Sequence, residues 1–226
     1  MALWTNRYDG TSATNDTAYA IAVDSNTNVF VTGYSFGERS YDYVTVAYSG
    51  TGVALWTNRY NGPDNLHDYI TAIAVDGSGN VFVTGSSANS GQFYDYVTIA
   101  YSGAGAALWT NRYSGLATGW NVTARRGLAV GRDGAVYVTG TSADDYATIK
   151  YVWRPHLVIQ PFTAGSSSLN LTLSGPQNSS WSVQRALKPA GPWTHLGESV
   201  IGTNGLGNFR DVNPPANGGF YRTVPP

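Results

Sequence analysis

The chain has 226 residues, 13 Lys and Arg against 14 Asp and Glu, a formal net charge of −1 and only 12% charged residues. That balance leaves no basic surface for nucleic acid or for a polybasic membrane patch. The 42% hydrophobic and 13% aromatic content excludes a wholly disordered chain, and the absence of cysteine excludes a disulfide scaffold, a thiolate metal site and a thiol nucleophile.

An internal repeat dominates the chain from its first residues. The heptapeptide Ala-Leu-Trp-Thr-Asn-Arg-Tyr stands at 2–8, 54–60 and 107–113. Val-Phe-Val-Thr-Gly stands at 29–33 and 81–85 and returns as Val-Tyr-Val-Thr-Gly at 136–140. Tyr-Asp-Tyr-Val-Thr stands at 41–45 and 94–98, with Asp-Asp-Tyr-Ala-Thr at 144–148 as a weaker third copy. Three copies, 2–50, 54–103 and 107–151, therefore fill the first two thirds of the sequence.

Each copy contains four runs rich in Val, Ile, Thr, Tyr and Trp, separated by Gly, Asn, Ser and Asp. In the second copy these predict strands at 54–60, 70–76, 81–86 and 94–101. No 3.6-residue apolar period predicts a helix, and no apolar run approaches the roughly 20 residues of a membrane span. Runs such as Ile73-Ala74-Val75 and Val81-Phe82-Val83 are apolar on successive residues, so their strands should be covered on both faces. Four antiparallel strands repeated every 40–55 residues are the pattern of a β-propeller blade.

Residues 2–151 resemble the SBBP family of bacterial β-propeller repeats. The resemblance rests on Ala74-Val75-Asp76 through Gly85, Tyr94 through Tyr101 and Leu55 through Gly62. The third copy departs from it with Gly131 in place of the Asp. The resemblance implies an extracytoplasmic bacterial protein, secreted or at the cell surface, and supplies no catalytic residues. No signal peptide is legible in these 226 residues, so export is an expectation from the resemblance alone.

Three four-stranded blades are too few to close a ring, since propellers use about four to eight. Strand 2–8 at one end and strand 144–151 at the other suit closure by strand exchange. Self-association, or blades missing from this chain, is therefore expected to close the propeller.

Beyond Tyr151 the repeat stops. Residues 152–156, with Pro155, read as a linker. The remainder, 157–226, predicts strands at Leu157–Phe162, Leu169–Ser174, Trp181–Ala186, Trp193–Ile201, Asn208–Val212 and Phe220–Val224, which suits a small β-sandwich. The residues Trp181 to Arg185, Gly191-Pro192-Trp193 and Phe220-Tyr221-Arg222 resemble fibronectin-like modules that end many secreted bacterial proteins. The expected fold is all-β: an incomplete propeller of three blades plus a C-terminal sandwich.

The search for chemistry yields little. None of His67, His156 and His195 lies in a nucleophile motif, and only Glu38 and Glu198 are glutamates. Asp16/Asp68, Asp24/Asp76 and Asp42/Asp95 recur at equal repeat positions, which reads as turn or backbone-bonding duty rather than as a unique active site. Asp24 to Asn28 and Asp76 to Asn80 alternate oxygen side chains as calcium loops do, but lack further acidic ligands, so hairpin turns are expected there. No catalytic residue, metal or cofactor is assigned.

Variation among the copies concentrates in the loops at one end of the blades, at 9–15, 61–67, 114–122, 34–40, 87–93 and 141–143. They carry Tyr34, Phe36, Arg39, Asp64, His67, Phe93 and Trp120 as candidate ligand-binding residues for a protein or glycan partner. Two rival readings are a propeller lyase or hydrolase built on His67 with Asp64 or Asp68, and a carbohydrate-binding module using Trp120, Phe93 and Tyr34.

Overall fold

The computed structural model describes residues 3–10, 15–91, 93–115, 123–132, 134–142, 145–152, 156–159, 167–175, 179–202, 205–216 and 218–224. Its contacts divide the chain into two units, Met1–Tyr151 and Val152–Pro226. Among the described residues every regular element is a strand.

The first unit holds three antiparallel sheets. Sheet I is β1 (Thr17–Val23), β2 (Val29–Phe36), β3 (Tyr41–Tyr48) and β4 (Ala54–Tyr60), in that spatial order. Sheet II repeats it with β5 (Asp68–Val75), β6 (Val81–Ala88), β7 (Tyr94–Tyr101) and β8 (Ala107–Tyr113). Sheet III has three strands, β9 (Thr123–Val130), β10 (Val136–Ser142) and β11 (Asp145–Tyr151), with β11 at its edge.

Two expectations are corrected here. The heptapeptide at 54–60 and 107–113 forms β4 and β8, but its first copy forms no strand: residues 3–10 carry no strand assignment. The heptapeptide adds to the third strand of the sheet before it in the chain, and residues 3–10 have no such strand before them among the described residues. For the same reason sheet III, whose third strand is followed by no heptapeptide, has three strands rather than four.

Stacking explains the runs of consecutive apolar residues. The middle strands β3, β6 and β7 are buried at nearly every position because both of their faces are covered. Phe30, Tyr43 and Ala47 of sheet I share one core with Ile70, Val81, Val83, Val97 and Ile99 of sheet II. Phe82, Tyr96 and Ala100 of sheet II share the next with Val136 and Val138 of sheet III.

The recurring Val-Thr-Gly has a backbone cause. Each first strand makes a bulge where it passes the second, between Ala18 and Ala20 and between Ile70 and Ala72. The bulge brings the neighbouring backbone so close that a Cβ on Gly33 would lie 1.9 Å from Thr17 O, and one on Gly85 2.2 Å from Tyr69 O. The preceding threonine locks the other neighbour: Thr32, Thr84 and Thr139 each meet a threonine of the third strand, Thr45, Thr98 and Thr148, at 3.0 Å. The hairpins between first and second strands close on aspartate. Asp76 Oδ1 accepts from the N–H groups of Ser78 and Asn80 at 2.9 and 2.8 Å, and Asp24 does the same for Asn26 and Asn28.

The second unit holds β12 (His156–Ile159), β13 (Leu169–Ser174), β14 (Ser180–Ala186), β15 (Thr194–Val200), β16 (Leu206–Asp211) and β17 (Phe220–Val224). They form two antiparallel sheets, β12-β13-β16 and β15-β14-β17. Leu169, Leu171 and Leu173 alternate inward from the first and share a core with Trp181 and Val183 of the second. Beside that core Arg185 donates to Asp211 at 2.6 Å, and the Tyr221 hydroxyl donates to the same oxygen at 2.8 Å. Burial pushes the Asp211 carboxyl up, but these bonds and one from the Asn213 N–H outweigh it and hold the group below the usual carboxylate range. The Arg222 guanidinium lies 4.2 Å from the centre of the Trp193 ring, which brings together two of the segments that carried the fibronectin-like resemblance.

Candidate functional site

An aromatic cluster stands at the end of sheets I and II where the 37–40, 61–67 and 89–91 segments emerge. The pleat puts Tyr34 and Phe36 on one face of β2, and the register sets Phe36 opposite Tyr41 of β3. That face looks toward sheet II, since the next residue in line, Tyr43, is buried in the core shared with it. Tyr41 meets Tyr34 and Phe36 edge-on at 5.3 and 5.2 Å. From sheet II, Tyr69 at the start of β5 meets Tyr34 edge-on at 5.2 Å and stacks on His67 at 5.8 Å. Tyr94 and Tyr19 extend the cluster at 6.4 Å from Tyr69 and 6.5 Å from Tyr34.

The cluster is fixed and nearly uncharged. His67 Nδ1 accepts a hydrogen bond from the Tyr41 N–H at 3.1 Å, which orients the imidazole and leaves Nε2 to carry the proton of the neutral ring. Burial, with the neighbouring phenols Tyr94, Tyr34 and Tyr41, pushes the Tyr69 hydroxyl up, so it stays protonated and able to donate. Tyr34, Phe36, Tyr41, His67, Tyr69 and Tyr94 are each half-buried, presenting ring edges and hydroxyls on a packed base.

Of the residues singled out from sequence, the fold brings Tyr34, Phe36 and His67 together. Tyr34 and Phe36, expected in a loop, lie in β2. Arg39 is exposed in the 37–40 loop, and Asp64 is exposed with Oδ2 accepting from Ser90 N at 3.1 Å. Phe93 is 39% exposed, its N–H donates to Asn89 Oδ1 at 3.2 Å, and it makes none of the ring contacts above. Trp120 lies outside the described residues.

Tyr69 and Tyr41 were missed. Tyr69 had a signal, because Thr17 holds its place in the first copy. Tyr41 recurs as Tyr94 and is screened out by any comparison that seeks only non-repeating residues.

The carboxylates near His67 face elsewhere. Asp68 is fully buried and accepts from Gly62 N at 2.6 Å, as Asp16 accepts from Gly10 N at 2.7 Å in sheet I. Burial pushes the Asp68 carboxyl from 3.8 up to about 6, against the pull of its hydrogen bonds from Ser87 and Gly62. The folded protein thus holds a proton that the unfolded chain releases, and stability is lost as pH rises from about 4 to about 6. Asp68→Asn should remove this slope. Between pH 4 and pH 7 its stability relative to wild type should rise by at most about 3 kcal/mol, read from urea midpoints.

The fold and the repeated strand pattern have a counterpart among known families. Residues 7–38 and 56–91 match the SBBP beta-propeller repeat. The two SBBP segments contain Tyr19, Tyr34, Phe36, His67 and Tyr69 of the cluster and end short of Tyr41 and Tyr94. No curated protein matches the chain. Among the described residues, no helix is long and apolar enough to cross a membrane.

Proposed function

We propose that this chain is a non-catalytic binding scaffold of SBBP-type propeller blades, sheets I to III being three blades of an incomplete propeller. The ligand site is the aromatic cluster centred on Tyr41, Tyr69 and His67. The second unit is taken as a small fibronectin-like β-sandwich, and the extracytoplasmic location implied by the SBBP resemblance belongs to the same proposal. The observation that carries the reading is the packed cluster of half-buried rings contributed by two sheets at their loop end. Rings held edge-to-face lose little freedom on binding, and their hydroxyls add directional bonds. Such a surface suits the apolar face and hydroxyl rim of a sugar ring.

A glycan array followed by titration calorimetry tests it. Binding should weaken at least tenfold in Tyr69→Ala and in Tyr41→Ala, with thermal midpoints reported alongside to separate loss of site from loss of fold. An array with no hits, or a ligand whose affinity both variants leave intact, would remove the reading.

A further inference from the structure

The two ends of the three-sheet unit are complementary. Residues 3–8 sit on sheet I as β4 sits on sheet II. Trp4 Nε1 and Asn6 Nδ2 donate to Gly50 O and Gly52 O, just as Trp56 Nε1 and Asn58 Nδ2 donate to Gly103 O and Gly105 O. Yet β4 also pairs along β3, whereas residues 3–8 form no strand ladder. At the other end, β11 is an edge strand in the place where β3 and β7 each pair with a heptapeptide.

The charges match as well. In sheets I and II the heptapeptide arginine meets a buried aspartate and a serine at the end of the second strand. Arg59 meets Asp42 and Ser35, and Arg112 meets Asp95 and Ser87. Sheet III keeps the acceptors, Asp145 and Ser142, but has no heptapeptide of its own, and Asp145 is exposed where Asp42 and Asp95 are 4% and 3% exposed. Arg7, the arginine of the first heptapeptide, is exposed.

The apolar faces follow the same logic. Tyr43 of sheet I is packed toward sheet II, and Tyr96 of sheet II reaches sheet III, its hydroxyl donating to Thr141 O at 2.6 Å. Tyr146, their counterpart in sheet III, is 83% exposed. The opposite face of sheet I holds a cavity of about 300 Å³ bounded by Asp16, Gly33, Val31 and Val46 under Trp4 and Tyr8. The same positions in sheet II are filled by sheet I.

We propose that a second copy of this chain occupies both ends. Residues 3–8 of one copy become the fourth strand of sheet III in the other, with Tyr8, Arg7 and Asn6 opposite Tyr146, Ala147 and Thr148. Arg7 pairs with Asp145 across the junction, and Tyr146 enters the sheet I cavity. Lys150, where sheets I and II hold alanines, already folds its amine to 5.3 Å from the Tyr137 ring and keeps its charge at the rim. The first unit holds three sheets, so two such units joined by two reciprocal junctions give a closed ring of six, within the four to eight that propellers use.

Light scattering behind a sizing column on the full chain should give twice the 24.1 kDa chain mass. Arg7→Glu and Asp145→Arg, each alone, should raise the dissociation constant about thirtyfold or more. The double variant, and a 1:1 mixture of the two singles, should recover the dimer. Recovery in the mixture requires that the pair form between copies, and a cooperative melting transition in each single variant shows that it folds. A monomeric wild type at high micromolar concentration, or a dimer indifferent to both reversals, would overturn the proposal.

Discussion

Gly85→Ala is expected to destabilise the first unit by about 3 kcal/mol or more, the upper end of what overpacking costs. The added methyl would lie 2.2 Å from Tyr69 O, 2.6 Å from Ile70 Cα and 2.7 Å from the Tyr43 hydroxyl. Two of these three atoms are backbone, and the third belongs to a tyrosine that is 1% exposed, so no flexible side chain can yield. Relief requires undoing the bulge between Ile70 and Ala72, which would shift the inward register of β5 and turn Ile70 out of the core. Gly77→Ala is the matched control, because nothing lies within 4 Å of a Cβ there. Equal loss of stability in the two variants, measured by urea denaturation, would contradict the close-approach account.

Arg112→Ala should cost about 3–5 kcal/mol, since it leaves a buried carboxylate without its counter-charge. Asp95 is 4% exposed at its side chain and receives Arg112 Nε, while the other guanidinium nitrogens reach Ser87 Oγ, Ser87 O and Ala88 O. The fork spans the third, fourth and second strands of sheet II and closes its loop end. Arg112→Lys should recover less than half of the loss, because an ammonium cannot serve acceptors so spread. Removing both partners in Arg112→Leu/Asp95→Asn should be milder than Arg112→Ala alone, an ordering that chemical denaturation of the three variants would test.

The strands were legible because each carries its own local signal. The runs 54–60, 94–101, Leu169–Ser174 and Phe220–Val224 are strands in the structure with the same bounds, most of the others differ by one or two residues at an end, and 160–162 of the run expected at 157–162 lie outside the described residues. What escaped was the partner of the heptapeptide strand, which joins the sheet before it in the chain. The heptapeptide at 2–8 has the same composition as β4, but a strand exists only where a neighbour accepts its backbone bonds. The candidate site was half legible for a similar reason. Tyr34, Phe36 and His67 stand out against the other copies, whereas Tyr41 enters the cluster through contacts between sheets that no single repeat contains. Phe93 stands out equally and makes none of the cluster's ring contacts.

Sheets I and II are near twins in sequence, yet Ile21 and Val23 are 65% and 58% exposed while their counterparts Ile73 and Val75 pack against a shared core. The thermodynamic weight of a side chain in this molecule is therefore set by its rank in the row of sheets as much as by its identity. A substitution measured in one repeat cannot be carried over to its twin. Val75→Ala pares back a side chain packed against the shared core, whereas Val23→Ala in the outermost sheet trims one that is 58% exposed.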